Sequence, residues 1–210
     1  MIRVLIADDH AIVREGLTRI LEDATEEFSV DEAEDGHQAL ARAREGEYDV
    51  ILLDIAMPGL DGMDVLKQLK LDGSAARILM LTMYPEAQFA SRALRAGAAG
   101  YLTKDRAPEE LVRAIRKVAA GRRYITDSLA ERIAGELEHG ADKPLHELLS
   151  DREFQVFRLL AAGNAVSAIA EQLALSAKTV STYRSRILQK TGMSGNAELT
   201  TYAVRHELIP

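Results

Sequence analysis

The residues of this chain that could do chemistry stand at the ends of apolar runs. Asp8 and Asp9 follow Ile2–Ala7, Asp54 follows Val50–Leu53, Thr82 follows residues 78–81, and Lys104 lies just past residues 98–102. Three carboxylates crowded together repel one another unless a cation joins them. An oxygen-only donor set at a phosphate-handling site suits Mg2+. The cluster therefore points to metal-assisted phosphoryl chemistry.

For these groups to meet, the runs must lie side by side. Each has strand length and is rich in Ile, Val and Leu, as buried parallel strands are, and the segments between them have helical periodicity. Alternation of this kind predicts an α/β doubly wound, five-stranded parallel sheet, whose ligand crevice lies outside the carboxyl ends of the strands. Strands are expected near residues 2–7, 28–34, 48–53, 78–82 and 98–102, the second polar enough to lie near an edge. Helices are expected at about 10–23, 36–46, 63–71, 86–96 and 108–120, with Asp9 placed to cap the first and Pro108 to open the last. His10, next to the acids, invites a catalytic or metal-ligand reading, but is expected instead in the first turn of the first helix. Pro58, Gly59 and Gly62 mark a turn after Asp54.

Beyond Gly121 the strand pattern stops. A short helix over 126–138 and a breaker-rich connection through His139-Gly-Ala-Asp-Lys-Pro144 lead to a last third that reads as four helices, at about 150–162, 166–173, 177–190 and 196–206. The expected division is 1–121 for the α/β domain, 122–144 for a linker with its short helix, and 145–210 for a small all-α domain.

Of the 210 residues, 47% are hydrophobic and 28% charged, which is a globular balance, and there is no cysteine, which excludes disulfides and thiolate metal sites and suits a reducing cytoplasm. No apolar run reaches the ~20 residues of a membrane span. The net charge of -7 is unevenly spread. Between Glu171 and Glu198 stand Lys178, Arg184, Arg186 and Lys190 with no acid, a local basic surface on an acidic protein that fits a phosphate backbone.

The ordered set Asp8-Asp9, Asp54-Ile-Ala-Met-Pro-Gly, Thr82, Tyr101 and Lys104 resembles the receiver domain of two-component response regulators. The tail resembles the LuxR-type helix-turn-helix through Leu149-Ser-Asp-Arg-Glu153, Ile169-Ala170, Leu173-Ala-Leu-Ser-Ala-Lys-Thr-Val180 and Ile187-Leu-Gln-Lys190. Together they resemble the NarL/FixJ class of transcription factor over nearly the whole chain.

The resemblance implies that Asp54 accepts a phosphoryl group from a histidine of a sensor histidine kinase. It implies that Asp9, Asp54 and the carbonyl of Ala56 bind Mg2+ directly, with Asp8 reaching it through water. Lys104 would pair with phosphoryl oxygens, and Thr82 would move onto the phosphate and let Tyr101 swing inward. The helix over 177–190 would enter the major groove of double-stranded DNA. Ser181, Thr182 and Ser185 share an exposed face there and are candidates for base edges, while Lys178, Thr179, Arg186 and Lys190 are placed for phosphates. Ala197, Leu199, Thr200 and Val204 form a small-residue face suited to a homodimer contact.

Four departures bear on function. Ala56 and Tyr84 occupy the positions that tune acyl-phosphate hydrolysis in the family, and neither offers a carboxylate or amide to orient water, so a long-lived phosphoaspartate is expected. Asp105 stands where many receivers have proline. Ser167 and Ala168 replace a usual lysine and glutamate, removing one expected phosphate contact, and Thr191 replaces a usual leucine. Two rival readings are a phosphohydrolase using the same aspartate nucleophile, and a transcription regulator that works without phosphorylation. The first lacks a cap domain or a substrate pocket beyond the crevice. No enzymatic activity is expected beyond the receiver's own phosphotransfer and slow dephosphorylation.

Overall fold

The computed structural model describes residues 1–24, 28–106, 108–138, 144–206 and 208–209. The chain divides into two compact units, Met1–Glu131 and Arg132–Pro210. The boundary falls inside a helix that the sequence assigns to the linker. The expected connection through residues 139–143 lies outside the described residues.

In the first unit, β1 (Ile2–Ala7), β2 (Phe28–Ala33), β3 (Val50–Leu53), β4 (Arg77–Thr82) and β5 (Gly100–Thr103) form one all-parallel sheet in the order β2-β1-β3-β4-β5. Between them run α1 (Ala11–Ala24), α2 (Gly36–Glu45), α3 (Gly62–Leu71) and α4 (Glu86–Arg95), with α5 (Pro108–Ala119) after β5. The polar strand β2 is an edge, as its composition requires, since only one of its flanks needs to be dry.

Side chains alternate across the sheet, so both faces of the central strands bury apolar groups. Val4, Ile6, Val50, Leu52, Leu79 and Leu81 pack with Leu17 and Leu21 of α1 and Leu111, Ile115 and Val118 of α5. The alternate residues Leu5, Ile51, Leu53, Ile78 and Met80 are also fully buried, as are Leu66 of α3 and Phe89 of α4. Each such side chain contributes about 1.5–3 kcal/mol by leaving water, which fixes the register in which the strand ends line up. β5 would present an open edge. Tyr124 covers part of it, its N–H donating to the Ala99 carbonyl at 2.9 Å.

The second unit begins within α6 (Asp127–Glu138) and continues through α7 (Asp151–Ala161), α8 (Val166–Gln172), α9 (Ala177–Thr191) and α10 (Asn196–Arg205). A single 3-10 turn, Leu145–Leu148, precedes α7 and is absent from the sequence reading. It holds by its aromatic contacts rather than by periodicity: the His146 ring lies 5.8 Å from that of Phe154 and 5.9 Å from that of Tyr202. Phe154, Val156, Phe157, Ile169, Val180, Ile187, Leu199 and Ala203 make the core. Between α8 and α9 the chain turns at Ala174, whose φ of 51° is the only positive value at a non-glycine among the described residues. Thr191, a polar residue at a buried position, donates its hydroxyl to the Ile187 carbonyl at 2.8 Å and so leaves no unmet group. Among the described residues no helix is long and apolar enough to cross a membrane.

Candidate functional site

β1 and β3 are neighbours whose connections leave in opposite directions across the sheet, so a crevice opens at their carboxyl ends. Parallel pairing sets Ala7 beside Leu53, and the Asp54 N–H donates to the Ala7 carbonyl at 2.9 Å, so Asp8 and Asp54 emerge together. β5 brings Lys104 to the same rim, where its N–H donates to the Thr82 carbonyl at 2.9 Å. Lys104 Nζ then lies 2.5 Å from Asp8 Oδ2 and 2.6 Å from Asp54 Oδ2. Burial pulls the pKa of this ammonium down, but the Asp54 and Asp8 carboxylates outweigh it and leave the pKa above its usual value.

Asp8 and Asp54 are only 2% and 3% exposed, and Asp54 Oδ1 is buried with no hydrogen-bond donor. The turn into α1 is held by Asp8, whose Oδ1 accepts the His10 N–H at 2.9 Å, where the sequence expects Asp9 to cap. The His10 ring folds back over the acids, with Nδ1 2.8 Å from Asp9 Oδ1. Ligand atoms of Asp8, Asp9, His10 and Asp54 all lie within 4.8 Å of one another. Three carboxylates against one ammonium leave two negative charges, and two buried oxygens, one each of Asp9 and Asp54, lack a hydrogen bond. This donor set fits a divalent cation.

Two supporting contacts carry no sequence signal. Arg14 Nη1 donates to the Asp8 carbonyl at 2.7 Å while its Nε bonds Glu32 at 3.1 Å, fixing the backbone of the acid pair. Gly62 presses against the loop that follows β3, and a Cβ there would sit 1.9 Å from the Asp54 carbonyl oxygen. The sequence marks Gly62 as a turn former. Its role is close approach, whereas Gly59, at φ 72°, supplies the left-handed turn.

In the second unit, Ser150 and Glu153 form a capping box at the start of α7. Lys190 Nζ completes it, 2.6 Å from Glu153 Oε2. Burial raises the Glu153 pKa, but Lys190 and the Ser150 N–H and hydroxyl together hold it below its ordinary value. α8 and α9 form a helix-turn-helix, with Ser176 capping α9 by accepting the Thr179 N–H at 3.0 Å.

Residues 4–116 match the response regulator receiver domain, and residues 147–203 match the luxR family of bacterial regulatory proteins. The chain belongs to the two-component response regulators. It is 41% identical over 209 residues to the response regulator UvrY of Escherichia coli K12, covering 99% of this chain and 96% of that one. It is 41% identical over 210 residues to GacA of Pseudomonas protegens, covering 100% and 98%. Among solved structures, RcsB of Salmonella enterica serovar Typhimurium, bound to the rprA promoter with the phosphomimetic BeF3−, superposes with a TM-score of 0.62 at 28% identity, covering 97% and 99%. This response regulator is thus a two-component transcription factor with a receiver and a LuxR-type DNA-binding domain.

In the receiver, the structure brings Asp8, Asp9, Asp54 and Lys104 together. Thr82 is fully buried, and its hydroxyl accepts the Tyr84 N–H at 3.4 Å. Ala56 is exposed in the loop two residues after Asp54. Tyr101, expected to swing inward, is already fully buried, its hydroxyl donating to the Tyr84 carbonyl at 2.8 Å. The Tyr84 ring packs on Phe89 with centroids 4.9 Å apart. The Lys104–Asp105 peptide is trans.

In the DNA-binding domain, Lys178, Ser181, Thr182, Ser185 and Arg186 are exposed along α9, and Thr179 is half-buried in the cap. Thr182 and Ser185 donate their hydroxyls to the Lys178 and Ser181 carbonyls at 2.9 and 3.1 Å, which leaves acceptor lone pairs outward. Lys190 differs from expectation, since its ammonium serves the α7 cap. The proposed dimer face on α10 also needs correction. Leu199 is fully buried in the domain's own core, and Thr200 turns inward to donate to the Ala161 carbonyl at 2.9 Å. Ala197, Thr201 and Val204 are exposed at the spacing of one helical face, and Asn196, Glu198 and Arg205 of the same helix are exposed as well. The sequence could not separate these faces because apolar residues stand on both, Leu199 and Ala203 inside and Ala197 and Val204 outside.

Proposed function

We propose that this response regulator is switched by phosphorylation of Asp54, which shifts it toward a DNA-bound homodimer. The observation that carries this reading is the Asp54 carboxylate itself. It is buried at a strand end, with one oxygen on Lys104 and the other without a donor. An oxygen so placed can attack the phosphorus of a phosphohistidine on a sensor kinase, as the P–N bond breaks and the histidine nitrogen leaves. Lys104, now shared between Asp8 and Asp54, pairs with the incoming phosphoryl oxygens as a point charge. Thr82 and Tyr101, joined through Tyr84, carry the change to the loop after β4. Asp8, Asp9, Asp54 and the Ala56 carbonyl would hold Mg2+, which supplies charge against the phosphoryl oxygens when bound.

On DNA, α9 enters the major groove with Ser181, Thr182 and Ser185 toward base edges and Lys178, Thr179 and Arg186 toward phosphates. Ala197 and Val204 of α10 face the partner copy. The cysteine-free chain works in the cytoplasm, where the kinase's phosphohistidine is available. With Ala56 and Tyr84 at the positions named above, the phosphoaspartate is long-lived, and decay within seconds in purified protein with Mg2+ would contradict that.

The test compares wild type with Asp54→Asn, each with and without Mg2+ and acetyl phosphate, by intact mass, oligomeric state and DNA binding. Wild type alone gains a phosphoryl group and moves to a DNA-bound dimer. Equal DNA binding by both, with no response, would establish the phosphorylation-independent regulator instead.

A further inference from the structure

The acid cluster contains a group that the proposed Mg2+ site does not use. His10 stands just before α1, and because Asp8 Oδ1 accepts its N–H at 2.9 Å, its ring folds over the acids instead of along the helix. Nδ1 lies 2.8 Å from Asp9 Oδ1 and 3.3 Å from Asp8 Oδ1. Neighbouring ligands on one octahedral ion with bonds of about 2.1 Å stand about 3 Å apart, so these are the separations of groups sharing a metal. A second observation is independent of the histidine. Asp54, 3% exposed, sends a buried Oδ1 with no donor into the same set.

We propose that His10 Nδ1 is a protein ligand of this site, making it a mixed oxygen–nitrogen set that takes a first-row transition ion in preference to Mg2+. Mg2+ is a hard ion that favours oxygen and keeps its waters. An imidazole nitrogen adds little to its binding. From Mn2+ through Zn2+ the same nitrogen gains affinity in the Irving–Williams order. The inference rests on the reading of the acid cluster as the receiver's metal site.

The decisive experiment is pulsed EPR on tag-free, full-length protein with substoichiometric Mn2+, alongside calorimetric titrations with Mn2+ and with Mg2+. Wild type, His10→Ala and Asp54→Asn are compared, and wild type is also prepared with 15N-histidine. The expected result is a 14N coupling of a directly bound imidazole that becomes a 15N coupling on labelling and vanishes in His10→Ala. That variant should lose roughly tenfold or more in Mn2+ affinity, at least what a lost outer partner costs, while its Mg2+ affinity changes far less. His10 is 65% exposed, so the variant keeps the fold, which its circular dichroism verifies. Mn2+ bound without nitrogen coupling, or with coupling retained in His10→Ala, overturns the inference and leaves the metal site standing. No Mn2+ binding by wild type, or equal binding by Asp54→Asn, overturns both.

Discussion

Lys190→Ala distinguishes a DNA contact from a structural tie. The Lys190 ammonium lies 2.6 Å from Glu153 Oε2, and the Glu153 side chain is 4% exposed while that of Lys190 is 42% exposed. A charge-assisted hydrogen bond contributes about 1.5–3 kcal/mol. Water screens the exposed lysine, which lowers the expected loss to about 1–2 kcal/mol. For a unit of this size that loss lowers the melting temperature by roughly 5–12 °C. The assay is thermal unfolding of the full chain followed through the transition of the DNA-binding domain, in a double-mutant cycle with Glu153→Gln. A coupling energy of about 1 kcal/mol is expected. The pH dependence has a definite sign. The Glu153 pKa is depressed in the folded state, so the pair's contribution is present above its ordinary value of 4.5 and is lost as pH falls through the lowered value. Wild type and Lys190→Ala therefore converge in acid. In DNA titrations the salt slope of the variant stays that of wild type. An unchanged melting temperature with a slope shallower by about 0.9 would refute the reasoning, because it is the signature of a lost phosphate contact.

Four further variants test positions the structure singles out. Gly62→Ala forces a Cβ against the Asp54 carbonyl and should cost about 1–3 kcal/mol in receiver stability. It should also slow phosphorylation by acetyl phosphate, and wild-type rates in the variant would show that the loop can move aside. Ala174→Gly relieves a left-handed alanine and should raise the stability of the DNA-binding domain by about 0.5–1 kcal/mol in denaturant unfolding, since the steric relief exceeds the added chain entropy. On α10, Leu199→Ala should lose about 2–5 kcal/mol of stability. Val204→Asp, at a position 56% exposed, should change stability by less than about 0.5 kcal/mol while weakening the phosphorylated dimer in analytical ultracentrifugation.

Much of the receiver was legible because its signals are local. A strand buried on both faces must be apolar throughout, so the runs before Asp8, Asp54, Thr82 and Lys104 announce both the strands and the residues at their ends. Gly62 shows where local reading stops, since glycine in a loop signals a turn whether or not a carbonyl lies against it. Lys190 shows the same limit on a helix. A basic residue on an exposed stripe looks like a phosphate contact until a carboxylate 37 positions earlier is found beside it. Leu199 and Val204 are both apolar residues on α10, and only packing against α7 assigns one to the core and the other to solvent.

The sequence by itself determined the α/β sheet, the helical tail, the acid cluster with its lysine, and membership of the response regulators, because apolar periodicity and the order of rare polar residues are properties of the chain. The tertiary structure alone decided that Lys104 bridges Asp8 and Asp54, that Tyr101 lies inward, that His10 folds over the acids, and which face of α10 is free. Each of these depends on distances between residues far apart in the chain or on the direction a side chain takes, and neither is encoded in composition or spacing.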